Sequence, residues 1–209
     1  KINFVFISTD KAVEPKTILG ITKRIGEILI NYIANQDGFK QSKFTIVRFG
    51  NVIGSDGSAL PYFYNQIKKN LPILLTDKKM QRYFMTIKEA CGLVLQSTKI
   101  NSKNKLLFLD MGKPVKIYQI IKKIFNIFRE PNQQLKVKII GNIYNEKISE
   151  RLLIKKKYYK TKIKKIYSNF DNIQNTKKVE QFISTLEKNI NVLNNNNMYK
   201  LIRNFIKIK

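Results

Sequence analysis

Apolar positions follow two rhythms along this chain. Ile2 to Ile7 (INFVFI) and Phe44 to Phe49 (FTIVRF) are near-continuous apolar runs, the pattern of parallel strands buried on both faces. Between them Ile18, Ile21, Ile25, Ile28 and Tyr32 recur at helical spacing, which predicts an amphipathic helix over roughly 17–35. The glycine-rich stretch GNVIGSDGS follows the second strand. A helix is expected from Leu60 to Lys69, ending near Asn70 and Pro72. Further along, 87–99 and 115–128 read as helices, and Leu106 to Leu109 and Val137 to Ile140 as strands. Strands alternating with helices predict an α/β fold with a parallel sheet. Beyond about residue 155 apolar positions thin out and Lys and Asn rise. There the run Asn194 to Asn197 breaks what reads as two short helices. The chain therefore divides into a main body, 1–154, and a basic helical extension, 155–209, whose last dozen residues are expected to fray.

In open α/β sheets, ligands sit beyond the carboxyl ends of the strands. Ser8, Thr9, Asp10 and Lys11 occupy that end of the first strand. Lys23 and Leu19 are four apart and share a helix face. If that face looks back at the strand, Thr9, Asp10, Lys11 and Lys23 converge on one ligand. The alternative is a surface turn with a solvated Asp–Lys pair.

Composition narrows the chemistry. The 209 residues contain no histidine, which removes Ser-His-Asp and Cys-His catalysis and the commonest zinc ligand. Acid–base work falls to Asp, Glu, Lys, Tyr or water, and no metal site is expected. The single cysteine, Cys91, allows no internal disulfide and fits a reducing, cytoplasmic compartment. In its helical setting it reads as an inert core thiol. No apolar run approaches the ~20 residues of a membrane helix. The chain starts inside a strand rather than at a methionine, which suggests a fragment. Net charge is +26. Lys and Asn are spread over loops and helix faces alike, so the charge reads as compositional bias rather than a nucleic-acid groove. The exception is Lys155 to Lys165 (KKKYYKTKIKK), basic with two tyrosines.

The segment STDKAV…P…GITKR, Ser8 to Arg24, resembles the active-site region of extended short-chain dehydrogenase/reductases. Within them it is most similar to the nucleotide-sugar 4,6-dehydratases, the UDP-N-acetylglucosamine 4,6-dehydratase family of polysaccharide biosynthesis. RFGNVIGSDGS (Arg48 to Ser58), QRYFMTIKEA (Gln81 to Ala90), LDMGKPVKI (Leu109 to Ile117) and GNIYNEKISERLL (Gly141 to Leu153) match later family segments in order. The resemblance implies a partial Rossmann-like sheet lacking its first βα units, with a smaller substrate-binding lobe. It implies NAD, or NADP, as cofactor and a UDP-sugar as substrate. In such enzymes the cofactor oxidises the sugar C4 hydroxyl, the C5 proton becomes acidic, the C6 hydroxyl leaves as water, and hydride returns to C6. By resemblance Asp10 is the acid, Lys11 the base, and Thr9 the hydroxyl on the C4 oxygen. Lys23 is the lysine of the Tyr-x-x-x-Lys pair that binds the nicotinamide ribose. Asn51 approaches the substrate, Arg82 is the candidate diphosphate ligand, and Glu146 contacts the ribose or uracil.

Three departures stand against that pattern. Leu19 occupies the tyrosine position, as in the large membrane-tethered members that lack this tyrosine. No Gly-x-x-Gly-x-x-Gly turn is present; Gly50, Gly54 and Gly57 follow a later strand. Ile143 stands where the family carries a diphosphate-binding arginine, and it cannot supply a bidentate fork. The resulting expectations are a dehydratase completed by a separately encoded amino-terminal half or a homo-oligomer, or else an inactive pseudoenzyme. A basic module binding nucleic acid or a membrane surface ranks below both.

Overall fold

The computed structural model describes residues 1–55, 57–100, 106–142, 145–153, 158–169 and 176–206. Ile143, Asp56, Lys155 to Lys157 and the 154/155 boundary lie outside them. In chain order the strands are β1 (Asn3–Thr9), β2 (Lys43–Phe49), β3 (Asn51–Ile53), β4 (Ile73–Leu75), β5 (Gln81–Arg82), β6 (Phe84–Thr86), β7 (Leu106–Leu109), β8 (Val115–Lys116), β9 (Val137–Ile139), β10 (Tyr159–Lys160) and β11 (Ile166–Asn169). The helices are α1 (Ile18–Ala34), α2 (Ala59–Lys68), α3 (Ile87–Ser97), α4 (Ile117–Phe128), α5 (Thr176–Asn189) and α6 (Asn195–Ile206).

The main sheet runs β1-β2-β7-β11-β10. The first three strands are parallel, with Ser8 opposite Arg48 and Arg48 opposite Phe108. β11 and β10 close the other side antiparallel. Side chains alternate across the sheet. Val47, Leu107 and Leu109 therefore pack with Met85, Ala90 and Leu93 on the α3 side, while Arg48 points to α1. A second core joins Phe63 and Ile67 of α2 to Ile117, Ile121 and Phe125 of α4, over Ile73 and Leu75 of β4. This is the smaller lobe.

Several expectations change in detail. The buried stripe of α1 is Gly20, Ile21, Arg24, Glu27 and Ile28; Ile18 is 71% exposed. The face against the sheet thus carries ions that a purely apolar periodicity overlooks. Cys91 is exposed, because α3 buries Ala90, Leu93 and Ser97 and position 91 faces away. Among the described residues, the stretch after 155 is helical from Thr176. Before that, β10 and β11 extend the sheet, with Tyr167 stacked on Phe108 and Tyr158 against both. The asparagine run opens α6 but lies beyond the end of α5, which stops at Asn189: the Asn194 side chain accepts the Asn197 amide. Phe182 and Phe205 then stack across the two helices, and Tyr32 donates to Glu180, fastening this unit to α1.

Candidate active site

β1 ends at Thr9 and the chain turns at once through a single 3-10 turn, Asp10–Ala12. Thr9 caps the turn, accepting the Lys11 amide at 3.4 Å. Asp10 is fully buried. Its Oδ1 accepts from Thr9 Oγ1 at 2.9 Å and from Lys11 Nζ at 3.1 Å. Its Oδ2 meets no hydrogen-bond donor among the described residues. Lys11 Nζ also donates to Asn51 Oδ1 at 3.2 Å, at the start of β3, and its side chain is 23% exposed. Thr9, Asp10, Lys11 and Asn51 therefore form one hydrogen-bonded cluster at the carboxyl ends of β1 and β2.

Two glycines make the cluster possible. A Cβ on Gly50 would stand 2.9 Å from Asp10 Oδ2, 3.0 Å from Tyr83 Cβ and 3.1 Å from Met111 Sδ. On Gly20 it would collide with the Lys11 carbonyl, so only glycine lets α1 lie against the turn. Lys23, one helical turn earlier than Glu27, donates to the Ile7 carbonyl at 3.1 Å and lies over the Phe6 ring. It stands on the α1 side of β1, and among the described residues no hydrogen bond joins it to the cluster. Leu19 is 52% exposed.

Arg82 and Glu146 form a second group. Arg82 is nearly buried, and its NH1 donates to the carbonyls of Gln81, Lys147 and Ile148 at 2.7, 2.8 and 3.3 Å. Its NH2 lies 3.9 Å from Glu146 Oε2, which accepts from Thr76 at 3.2 Å. In this arrangement Arg82 organises the 145–150 segment.

Two sets of residues escape the sequence reading. Beneath the turn, Glu27 accepts from Ser8 Oγ at 2.5 Å, from Arg48 Nε and NH2 at 2.6 Å each, and from Arg24 at 3.0 Å. The arginine within the apolar run FTIVRF was the available signal, since a charge in a buried strand demands a partner. Beside the turn, Lys147 donates to the Val13 carbonyl and lies 3.7 Å from Glu150 Oε2. Burial and the Asp10 charge push the Glu150 carboxyl above its ordinary range, against the pull of Lys147, Lys11 and Arg82. Burial likewise pushes the Lys147 amine down, against Glu150, Glu14 and Asp10. Both shifts have one sense: desolvation outweighs the pair's attraction. Glu150 thus links the Asp10–Lys11 cluster electrostatically to Arg82.

Comparison with known proteins shows the family and the fold. A model of the polysaccharide biosynthesis protein family matches residues 2–171. The capsular polysaccharide biosynthesis protein CapD of Staphylococcus aureus is 42% identical over 183 residues, 87% of this chain and 29% of its own length. The probable polysaccharide biosynthesis protein EpsC of Bacillus subtilis is 41% identical over 160 residues, 77% of this chain and 26% of its own. The chain thus spans under a third of the length of these curated relatives. Pen from Bacillus thuringiensis superposes with a TM-score of 0.70 at 25% identity, covering 88% of this chain and 62% of that one. A UDP-glucuronic acid 4-epimerase variant from Bacillus cereus, solved with UDP-4-deoxy-4-fluoro-glucuronic acid and NAD, shares the fold at TM-score 0.58 and 16% identity, over 69% of this chain and 50% of its own.

Proposed function

The chain belongs to the polysaccharide biosynthesis protein family, and from that premise we propose that it carries the catalytic turn and substrate lobe of a nucleotide-sugar 4,6-dehydratase acting on a UDP-N-acetylhexosamine. The observation that carries this reading is the Asp10–Lys11 pair: a buried carboxyl with one unpaired oxygen, beside an amine on the open side. Dehydration needs an acid and a base a few ångströms apart, and this cluster offers a carboxyl and an amine at that separation.

The chain's residues suit one end of NAD. Lys23 presents an amine at the back of β1, where a ribose hydroxyl would accept it. Among the described residues the phosphate end has no counterpart. Gly54 and Gly57, although at positive φ, have open space where a Cβ would stand, so they form no close cradle. The outer edge of β1 is unpaired among the described residues, and Ile2, Phe4 and Ile7 are exposed along it. An uncharged seven-residue edge of this kind suits a further parallel strand from a dinucleotide-binding portion. When bound, NAD supplies hydride removal at C4 and its return.

The chain's own groups do the rest. The sugar meets Lys11 first, because Asp10 lies wholly beneath it. Asn51 and Asp10 hold the Lys11 amine between two oxygens, aimed at the C5 proton. Asp10 is the acid for the departing C6 oxygen; its Oδ1 already accepts two hydrogen bonds, which leaves Oδ2 as the oxygen without a partner among the described residues. Thr9 Oγ1, whose own proton goes to Asp10 Oδ1, accepts the C4 hydroxyl's hydrogen bond. Water takes that hydroxyl proton as C4 becomes a ketone, and Lys11 returns its proton to C5 when hydride reaches C6. Arg82 and Glu146 shape the nucleotide side.

A second reading, binding without turnover, draws on Leu19 at the tyrosine position and on the missing glycine-rich turn. Incubation of UDP-N-acetylglucosamine and NAD with the chain, with and without an added amino-terminal portion, decides between them. Loss of one water, seen by mass and abolished by Lys11→Met, supports the dehydratase. Binding with no loss of water in either arm supports the second reading.

A further inference from the structure

The 145–150 segment is stapled to β5 from one side: Arg82 NH1 holds the Lys147 and Ile148 carbonyls, and the Gln81 amide donates to the Ile148 carbonyl at 2.7 Å. From the other side it reaches the catalytic turn through a side chain. Lys147 Nζ donates to the carbonyl of Val13. Val13 closes the turn, its amide bonded to the Asp10 carbonyl at 3.2 Å, and it has no exposed surface. Glu150, 5% exposed, stands 3.7 Å from the same amine, and its Oε2 makes no hydrogen bond among the described residues.

We propose that Lys147, with Glu150 as its counter-ion, is a positioning residue that latches the 145–150 segment to the Asp10–Val13 turn and so fixes where Asp10 and Lys11 stand. The functional part of this proposal rests on the reading of Asp10 and Lys11 as the reacting pair. The groups facing the latch are Asp10, Lys11 and Glu14 from the turn and Arg82 from β5. A buried carbonyl at Val13 needs a donor, and an apolar side chain at 147 would leave it unsatisfied. The latch also explains why the pair lies beside the turn although nucleotide-side contacts alone would not require it there. Among the described residues, the hydrogen bond that joins the 145–150 segment, which carries Glu146, to the catalytic turn is made by the Lys147 amine.

Hydrogen exchange on the full chain, read by mass spectrometry, tests this for wild type, Lys147→Met, Lys147→Arg and Glu150→Gln. Lys147→Met is expected to lower protection of the Asp10–Val13 turn about tenfold while Leu106–Leu109 of β7 is unchanged. Lys147→Arg, which keeps a charged donor, is expected to restore most of it, and Glu150→Gln to stay within about twofold of wild type. An unaltered turn in Lys147→Met overturns the latch. So does a uniform loss across the chain that Lys147→Arg fails to repair. Where water loss is measurable, Lys147→Met lowers kcat and leaves KM unchanged; a raised KM at constant kcat overturns the positioning role. If wild type shows no water loss while the exchange pattern holds, the latch stands and the dehydratase reading falls.

Discussion

Replacing Glu27 by alanine removes the acceptor for four hydrogen bonds at once, from Ser8, Arg24 and twice from Arg48, at 2.5 to 3.0 Å. Glu27 and Arg48 have no exposed surface, so the loss takes a buried carboxylate away from two of the guanidinium's hydrogen bonds. Breaking a buried pair in this way costs about 3–5 kcal/mol, a large part of the roughly 5–15 kcal/mol by which a domain is stable. The damage falls at the functional end of the sheet. Ser8 immediately precedes Thr9 and Asp10, and Arg48 lies just before Gly50 and Asn51, so one carboxylate ties both strand tips to α1. Urea unfolding followed by far-UV circular dichroism measures the effect, with the midpoint expected to fall and the slope to stay constant. Glu27→Gln keeps the shape and one acceptor oxygen, and is expected to lose less. A Glu27→Ala midpoint within about 1 kcal/mol of wild type would refute the clamp.

Other consequences are equally specific. Gly50→Ala forces a methyl against Asp10 Oδ2 and the Tyr83 and Met111 side chains; it is expected to cost about 1–3 kcal/mol in thermal melts and to weaken UDP-sugar binding in calorimetric titration. Unaltered stability would show that the neighbours yield freely. The raised Glu150 carboxyl gives a pH dependence of definite sign. Between its ordinary value of 4.5 and its folded value the native state binds more protons than the unfolded one, so stability falls as pH rises through that window. Lys147 contributes the opposite slope at alkaline pH, stability rising from its depressed value toward 10.5. Glu150→Gln removes the first arm: its melting temperature should match wild type near the acid end and exceed it above the window. A wild-type stability that climbs across the window, through a contribution lost in Glu150→Gln, contradicts the assignment.

The sheet's parallel half was legible because β1, β2 and β7 read as apolar runs, although only β2 and β7 are buried along most of their length and β1 keeps Phe4 and Ile7 exposed. The short strands β3, β5, β6 and β8 were not, since two or three residues carry no period. β10 and β11 were hidden by lysines that mask a sheet position behind a basic composition. At the site, Thr9, Asp10, Lys11 and Asn51 could be named from their place at the strand ends and from family resemblance, and they meet in one cluster. Glu27, Lys147 and Glu150 could not. Each looks like an ordinary surface charge, and only the tertiary placement of Arg48, Val13 and Asp10 gives it a partner.

The central claim is that Lys11, held by Asp10, removes the hexose C5 proton. Solvent exchange at that carbon tests it most directly. UDP-N-acetylglucosamine is incubated in heavy water with NAD, the chain and an added dinucleotide-binding portion, and C5 of the 4-keto-6-deoxy product is read by NMR. The account predicts deuterium at C5 with wild type and none with Lys11→Met. Deuterium at C5 at an undiminished rate in Lys11→Met would contradict it.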